Sequence, residues 1–202
     1  VGILAPGHPY KRLVAPQRLE AYGNGKLPAN KLAKLSCGGT AWFDINWYGG
    51  AVFAFNLMYD HAKRDGLTLK AVSGGYRSFE AQEALFFSRY SLTPTGRVPQ
   101  ITRQYNGRTY FLNQGASPSA SPGTSPHGVG CAQDFLITSP VYDWLCRNAP
   151  TYGIYLQGPP KYLWKPNPEY EAWHWQLSDA NNPTKTVKAE WEKFMQALGV
   201  KN

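Results

Sequence analysis

Along residues 50–64 (GAVFAFNLMYDHAKR) apolar side chains recur with the three-to-four spacing of a helix, and Asp65-Gly66 supplies a natural stop. Everything before about Trp47 is irregular, while the run after Leu67 reads as a strand leading into Arg77. A second helix is predicted over 79–90 (FEAQEALFFSRY), with Ser78 as N-cap and Glu80 in the first turn. Within 100–113 (QITRQYNGRTYFLN) two β-rich arms flank Asn106-Gly107, a strong hairpin signal. A loop rich in Ser, Pro and Gly fills 115–126, and 131–137 (CAQDFLI) reads as a strand. Its alternation puts Ala132, Asp134 and Leu136 on one face and makes Gln133 the mark of a partly wet opposite face. Ser139 is the expected cap of a helix over 140–148. Pro166, Pro168, Trp173 and Trp175 favour extended structure, and a last helix over 187–198 aligns Val187, Trp191, Phe194 and Leu198 before Gly199. No internal repeat interrupts this order.

Composition narrows the class. A chain of 202 residues with 43% hydrophobic content supports one compact domain over 1–202, and no tract is long enough for membrane insertion. The net charge of +8 implies attraction to polyanions. Lys and Arg are spread from Lys11 to Lys201 without a block, and no nucleic-acid motif is visible, so a nucleic-acid partner is not expected. Cys37, Cys131 and Cys146 lack metal-binding spacing and are read as buried thiols. The opening stretch lacks the apolar core of a secretory signal.

Candidate chemistry is concentrated in two runs, Ser125-Pro126-His127-Gly128-Val129-Gly130-Cys131-Ala132-Gln133-Asp134 and Glu171-Ala172-Trp173-His174. His127, Asp134 and His174 offer two imidazoles and a carboxylate, the three-ligand set that leaves a catalytic zinc one position for water. Glu171, close to the last ligand, is placed to take and return a proton. Gly128 and Gly130 permit the bend that brings His127 back to a strand-borne Asp134. In a regular strand Glu171 and His174 would face opposite ways, so a loop or bulge is expected at Glu171, with His174 entering a strand. His8 and His61 are read as ordinary packed or surface residues.

These blocks resemble the LAS metallopeptidases, in the branch of D-Ala-D-Ala carboxypeptidases, D-Ala-D-Ala dipeptidases and phage L-alanyl-D-glutamate endopeptidases. The pattern Ser-x-His-x-x-Gly-x-Ala-x-Asp is met by Ser125, His127, Gly130, Ala132 and Asp134, and Glu-x-x-His by Glu171 and His174. A third block, Ser73-Gly74-Gly75-Tyr76-Arg77-Ser78 followed by Gln82, is similar to the family's Gly-Tyr-Arg-Ser segment, and the likeness covers about residues 23–176. The resemblance implies an α+β, hedgehog-like fold whose central antiparallel sheet is flanked by helices. It further implies one zinc ion on His127, Asp134 and His174, with Glu171 and Arg77 as catalytic residues. Ser125, Gln82 and Trp173 are its candidate substrate-binding residues.

The expected activity is hydrolysis of a peptide bond in bacterial peptidoglycan stem peptides. With no visible export signal, the first expectation is a phage endolysin cleaving L-alanyl-D-glutamate, released at lysis and acting at the cell wall. A D-alanyl-D-alanine carboxypeptidase, secreted and processed, is the alternative. From another class comes an inactive wall-binding module with a structural metal. The chain is expected to be a monomer, and it could be one module of a larger protein.

Overall fold

The computed structural model describes residue 13 and residues 15–157 and 171–200. His8, Pro166 and Pro168 lie outside these residues, and so does the extended approach to Glu171 read from the two prolines.

The described chain opens with short 3-10 turns and a small antiparallel ribbon, β1 (Leu32–Lys34) with β2 (Thr40–Trp42). Helix α1 (Gly50–Arg64) follows with the predicted bounds and buries Ala51, Ala54, Phe55, Met58 and Ala62. It starts from Gly49, whose left-handed φ of 68° excludes most side chains and whose missing Cβ leaves room for the Trp191 ring. Helix α2 (Phe79–Arg89) begins at Ser78, whose hydroxyl accepts the Ala81 N–H as predicted.

Residues 67–77 do not form the predicted strand. Only one antiparallel bridge is present, Ala71 with Phe135. The physical reason is where the backbone donors go: Ala71 N–H to Cys37 O, Val72 to Asp134 O, Tyr76 to Thr40 O and Arg77 to His127 O. Four separate partners cannot build one ladder, yet they leave these groups satisfied.

After α2, β3 (Tyr90–Ser91), β4 (Thr102–Tyr105) and β5 (Arg108–Leu112) form an antiparallel sheet in the order β3-β5-β4. The predicted hairpin is its core, with Asn106 and Gly107 both at positive φ (49° and 70°), as a two-residue primed turn requires. Phe86, Tyr90, Ile101, Tyr110 and Leu112 give this unit a small apolar cluster of its own.

The central sheet is antiparallel and three-stranded: β6 (Ala132–Asp134), β7 (Ile154–Leu156) and β8 (His174–Leu177) in the order β6-β8-β7. The strand expected over 131–137 is thus shortened to three residues. Gln133 does not sit on a wet face but is fully buried, its amide donating to Ser73 O and Asp134 O. Helix α3 (Ser139–Asn148) is present, but Thr138 rather than Ser139 is its N-cap, and no side chain caps it. Pro140 covers the first turn without needing a hydrogen bond, so the missing cap costs little.

Helix α4 (Lys185–Ala197), capped by Thr184, docks through Val187, Trp191 and Met195. Of the predicted stripe, Val187 and Trp191 are buried, whereas Phe194 and Leu198 are 45% and 60% exposed. Spacing of four throughout keeps 187, 191 and 195 in one row, whereas the step of three to Phe194 turns away from the core. Cys131 is buried as expected, Cys37 and Cys146 are half-buried, and His61 is half-buried beside the Tyr152 hydroxyl.

Candidate metal centre

Asp134 and His174 meet because they are direct partners in the register of β6 and β8, the spacing at which cross-strand side chains touch. His127 arrives from a 3-10 turn, Pro126–Val129, whose N-cap Ser125 accepts the His127 N–H. Gly130 closes that turn at φ 65°, lying so close to the Trp42 backbone that a side chain would collide. The bend expected from the glycines is therefore real. Glu171 stands outside the strand in a turn closed by His174 N–H to Glu171 O, 3.1 Å, which resolves the odd spacing as expected.

His127, Asp134 and His174 each place a ligand atom within 4.8 Å of the other two. Asp134 Oδ1 lies 3.4 Å from His127 Nε2 and 3.0 Å from His174 Nδ1. Its other oxygen accepts the Ser73 hydroxyl at 2.7 Å. His127 Nδ1 lies 2.7 Å from Gly75 O. Since a carbonyl only accepts, neutral His127 carries its proton on Nδ1 and turns the Nε2 lone pair toward the Asp134 carboxylate. A lone pair facing an anion repels it unless a cation stands between them. That conflict fits the residues to a metal, and the backbone carbonyl behind His127 is the outer partner such a ligand needs.

Electrostatics divide the acids into two roles. Burial pushes Asp134 up, but the flanking His127 and His174, whenever they carry the extra proton, outweigh it and hold the carboxyl well below the usual range. Burial first, then the Asp134 charge, raise Glu171 to about 7 against the weaker opposing charges of His127, Arg89 and Arg77. It can hold or release a proton near neutrality. Burial lowers His174, which favours the neutral imidazole that binds metal.

Arg77 faces the same cleft, its Nη1 donating to Gln82 Oε1 at 2.8 Å, and Gln82 donates in turn to Ala120 O. Burial depresses the guanidinium, countered first by Asp134. At 2% exposure, Gln82 sits behind Arg77 and orients it, so it does not line the cleft as a substrate residue would. Ser125 is buried and caps the His127 turn while lining the cleft, and Trp173 lines it at 42% exposure. The cleft is about 300 Å³, walled by Val72, Ser73, Leu85, Arg89, Gln157 and the stretch 117–120.

Sequence reasoning assigned no role to Ser73, Gly75 or Arg89. The first two lie inside the recognised third block, where a carboxylate with an unclaimed oxygen signals a hydroxyl donor. Arg89 falls seven residues after Gln82, and helical spacing alone could have put it on the Gln82 face of α2.

This antiparallel core, with its mixed imidazole and carboxylate cluster, is the arrangement that the resemblance to the LAS zinc metallopeptidases implies. Residues 49–179 match the family model of VanY, D-alanyl-D-alanine carboxypeptidase, and the chain belongs to that family. It is 29% identical over 136 residues to YodJ of Bacillus subtilis (strain 168), named as an inferred carboxypeptidase. That match covers 61% of this chain and only 43% of YodJ. Among solved structures, VanYB in complex with D-alanine-D-alanine aligns at TM-score 0.50 and 21% identity, covering 87% of this chain and 93% of that one. The LdcB LD-carboxypeptidase aligns at TM-score 0.52 and 23% identity, covering 89% and 86%. At these identities the two structures establish the shared fold. Among the described residues, no helix is long and apolar enough to cross a membrane.

Proposed function

We propose that the protein is a zinc-dependent D-alanyl-D-alanine carboxypeptidase acting on the stem peptides of bacterial peptidoglycan. The observation that carries this reading is the family match over 49–179, a span that includes Arg77, His127, Asp134, Glu171 and His174. It favours the carboxypeptidase alternative over the phage endopeptidase expected first.

His127, Asp134 and His174 would hold the ion. When bound, zinc would supply the Lewis acidity that makes water a nucleophile near neutral pH. Glu171, raised toward neutrality by its burial, accepts the proton of the attacking water and returns it to the departing amine. Arg77, held by Gln82, donates to the scissile carbonyl oxygen as negative charge develops there. Ser73 and Gly75 fix the orientation of Asp134 and His127, and Trp173 shields one side of the cleft.

Incubation with purified peptidoglycan or a synthetic pentapeptide, followed by mass spectrometry, tests this. Free D-alanine, abolished by chelator and restored by zinc, is the expected product. New glutamate N-termini would replace the reading with the endopeptidase, and no product would leave a wall-binding module.

A further inference from the structure

Between Glu83 and Asp134 the chain carries no acidic residue, yet it holds Arg89, Arg97, Arg103 and Arg108. Most of that stretch is the β3-β5-β4 unit and the loop that follows it. Three of the arginines turn inward onto one segment. Arg89 Nη1 donates to Pro118 O at 3.1 Å, Arg97 Nη1 to Ala116 O at 2.8 Å and Asn113 O at 3.3 Å, and Arg103 Nε to Ser119 O at 3.2 Å. The segment they hold, 113–119, leads into and includes most of 117–120, a wall of the catalytic cleft. Arg97 also lines a second cavity, which shares Ser117 and Pro118 with the cleft and so continues it along the same wall.

Arg89 is the one of these arginines that lines the cleft itself. Among the described residues no carboxylate lies within ion-pair distance of it. Its charge is felt at Glu171, where it opposes protonation, and at Arg77, so it belongs to the field of the reacting groups. One of its five N–H donors is committed to Pro118, leaving a fork suited to a planar, doubly accepting anion. An acid-free flank ending in such a fork attracts substrates bearing negative charge and repels cationic ones.

We infer that Arg89 and the wall it anchors form a subsite for a free carboxylate carried by a residue before the scissile bond. The ligand class is an acidic peptide, and Arg89 is a specificity-determining residue. The inference rests on the reading of the site as a peptidase for stem peptides. It adds which stems are preferred: those with a free carboxylate at the upstream positions over those in which it is an amide.

The test uses pairs of synthetic stem peptides with the same C-terminus, differing by carboxylate or carboxamide at one upstream residue. kcat/KM is measured for the parent, R89Q and R89K, with R108Q at the hairpin as control. The parent and R108Q should favour the carboxylate peptide by roughly tenfold, the scale of one charge-assisted hydrogen bond. In R89Q the ratio should fall to near one, and R89K should retain part of it. The position whose amidation removes the preference identifies the carboxylate. Equal slowing of both peptides in R89Q would make Arg89 a wall anchor only and overturn the inference, as would an undiminished ratio. Failure of the parent on every peptide would instead remove the peptidase reading. Calorimetric binding of the same pairs to zinc-loaded E171Q then decides the subsite: equal affinities overturn it, and a preference lost in the E171Q/R89Q double variant upholds it.

Discussion

The β6-β8-β7 sheet and the β3-β5-β4 sheet are both three-stranded and antiparallel, but they are stabilised differently. The first presents Asp134 and His174 from strands backed by the main core, with Trp175, Ile154 and Leu156 fully buried. The second rests on five buried residues grouped against α2 and shows solvent a largely polar outer arm, β4. One sheet fixes two of the candidate metal ligands, and the other lies beside the cleft they face. The contrast suggests a chemistry held rigid beside a wall that can vary.

The largest expected effect falls on the first region. E171Q should keep bound zinc, measured by atomic absorption, while kcat drops by about 10²–10⁴, the range for losing general acid–base catalysis. Full activity in that variant would remove Glu171 from the reaction. Next, His174→Ala should lower zinc affinity on the order of a hundredfold or more, while far-UV circular dichroism shows the sheet retained. Unchanged metal content would break the assignment of ligands.

A pH experiment isolates the burial of Glu171. Below its ordinary value the carboxyl is protonated folded or unfolded and contributes nothing. Between that value and about 7 the unfolded chain gives up this proton while the folded chain keeps it, so stability falls across that window and levels off above it. Metal-free E171Q should therefore exceed the parent at pH 8.5 by up to about 3 kcal/mol and match it at pH 4 in denaturant melts. Equal curves at both pH values would contradict the buried acid.

The smallest effect belongs to the second region. Leu112→Ala, in the satellite cluster, should cost about 2–3 kcal/mol and speed amide exchange in β3 to β5, with zinc retained. Loss of zinc in this variant would show the two sheets to be one cooperative unit.

How much was legible in the sequence follows the same division. Local signals sufficed where a single segment decides its own shape: α1 with its stop, α2 with the Ser78 cap, the Asn106-Gly107 turn, and the odd-spaced turn at Glu171. That His127, Asp134 and His174 would come together was legible because fixed residues at fixed spacings carry them. What escaped depends on distant partners. Residues 67–77 look like a strand, yet their donors are shared among Cys37, Thr40, His127 and Asp134. Gln133 looks wet until the Ser73 carbonyl is brought to it from sixty residues away. Phe194 is apolar and helical, but only the docking angle of α4 decides that Met195 is the buried one. Gln82 read as a ligand contact because nothing local reveals that Arg77 stands in front of it.

The stretch from Ser73 to Arg77 behaves as a single bracket bolted at several points: Ser73 to Asp134, Gly75 to His127, Tyr76 to Gly25 and Thr40, and Arg77 to Gln82. The candidate metal ligands and the Arg77 guanidinium therefore cannot drift independently. A change that loosens one rivet is felt by all, whereas the outlying wall can be remodelled while the bracket keeps its alignment.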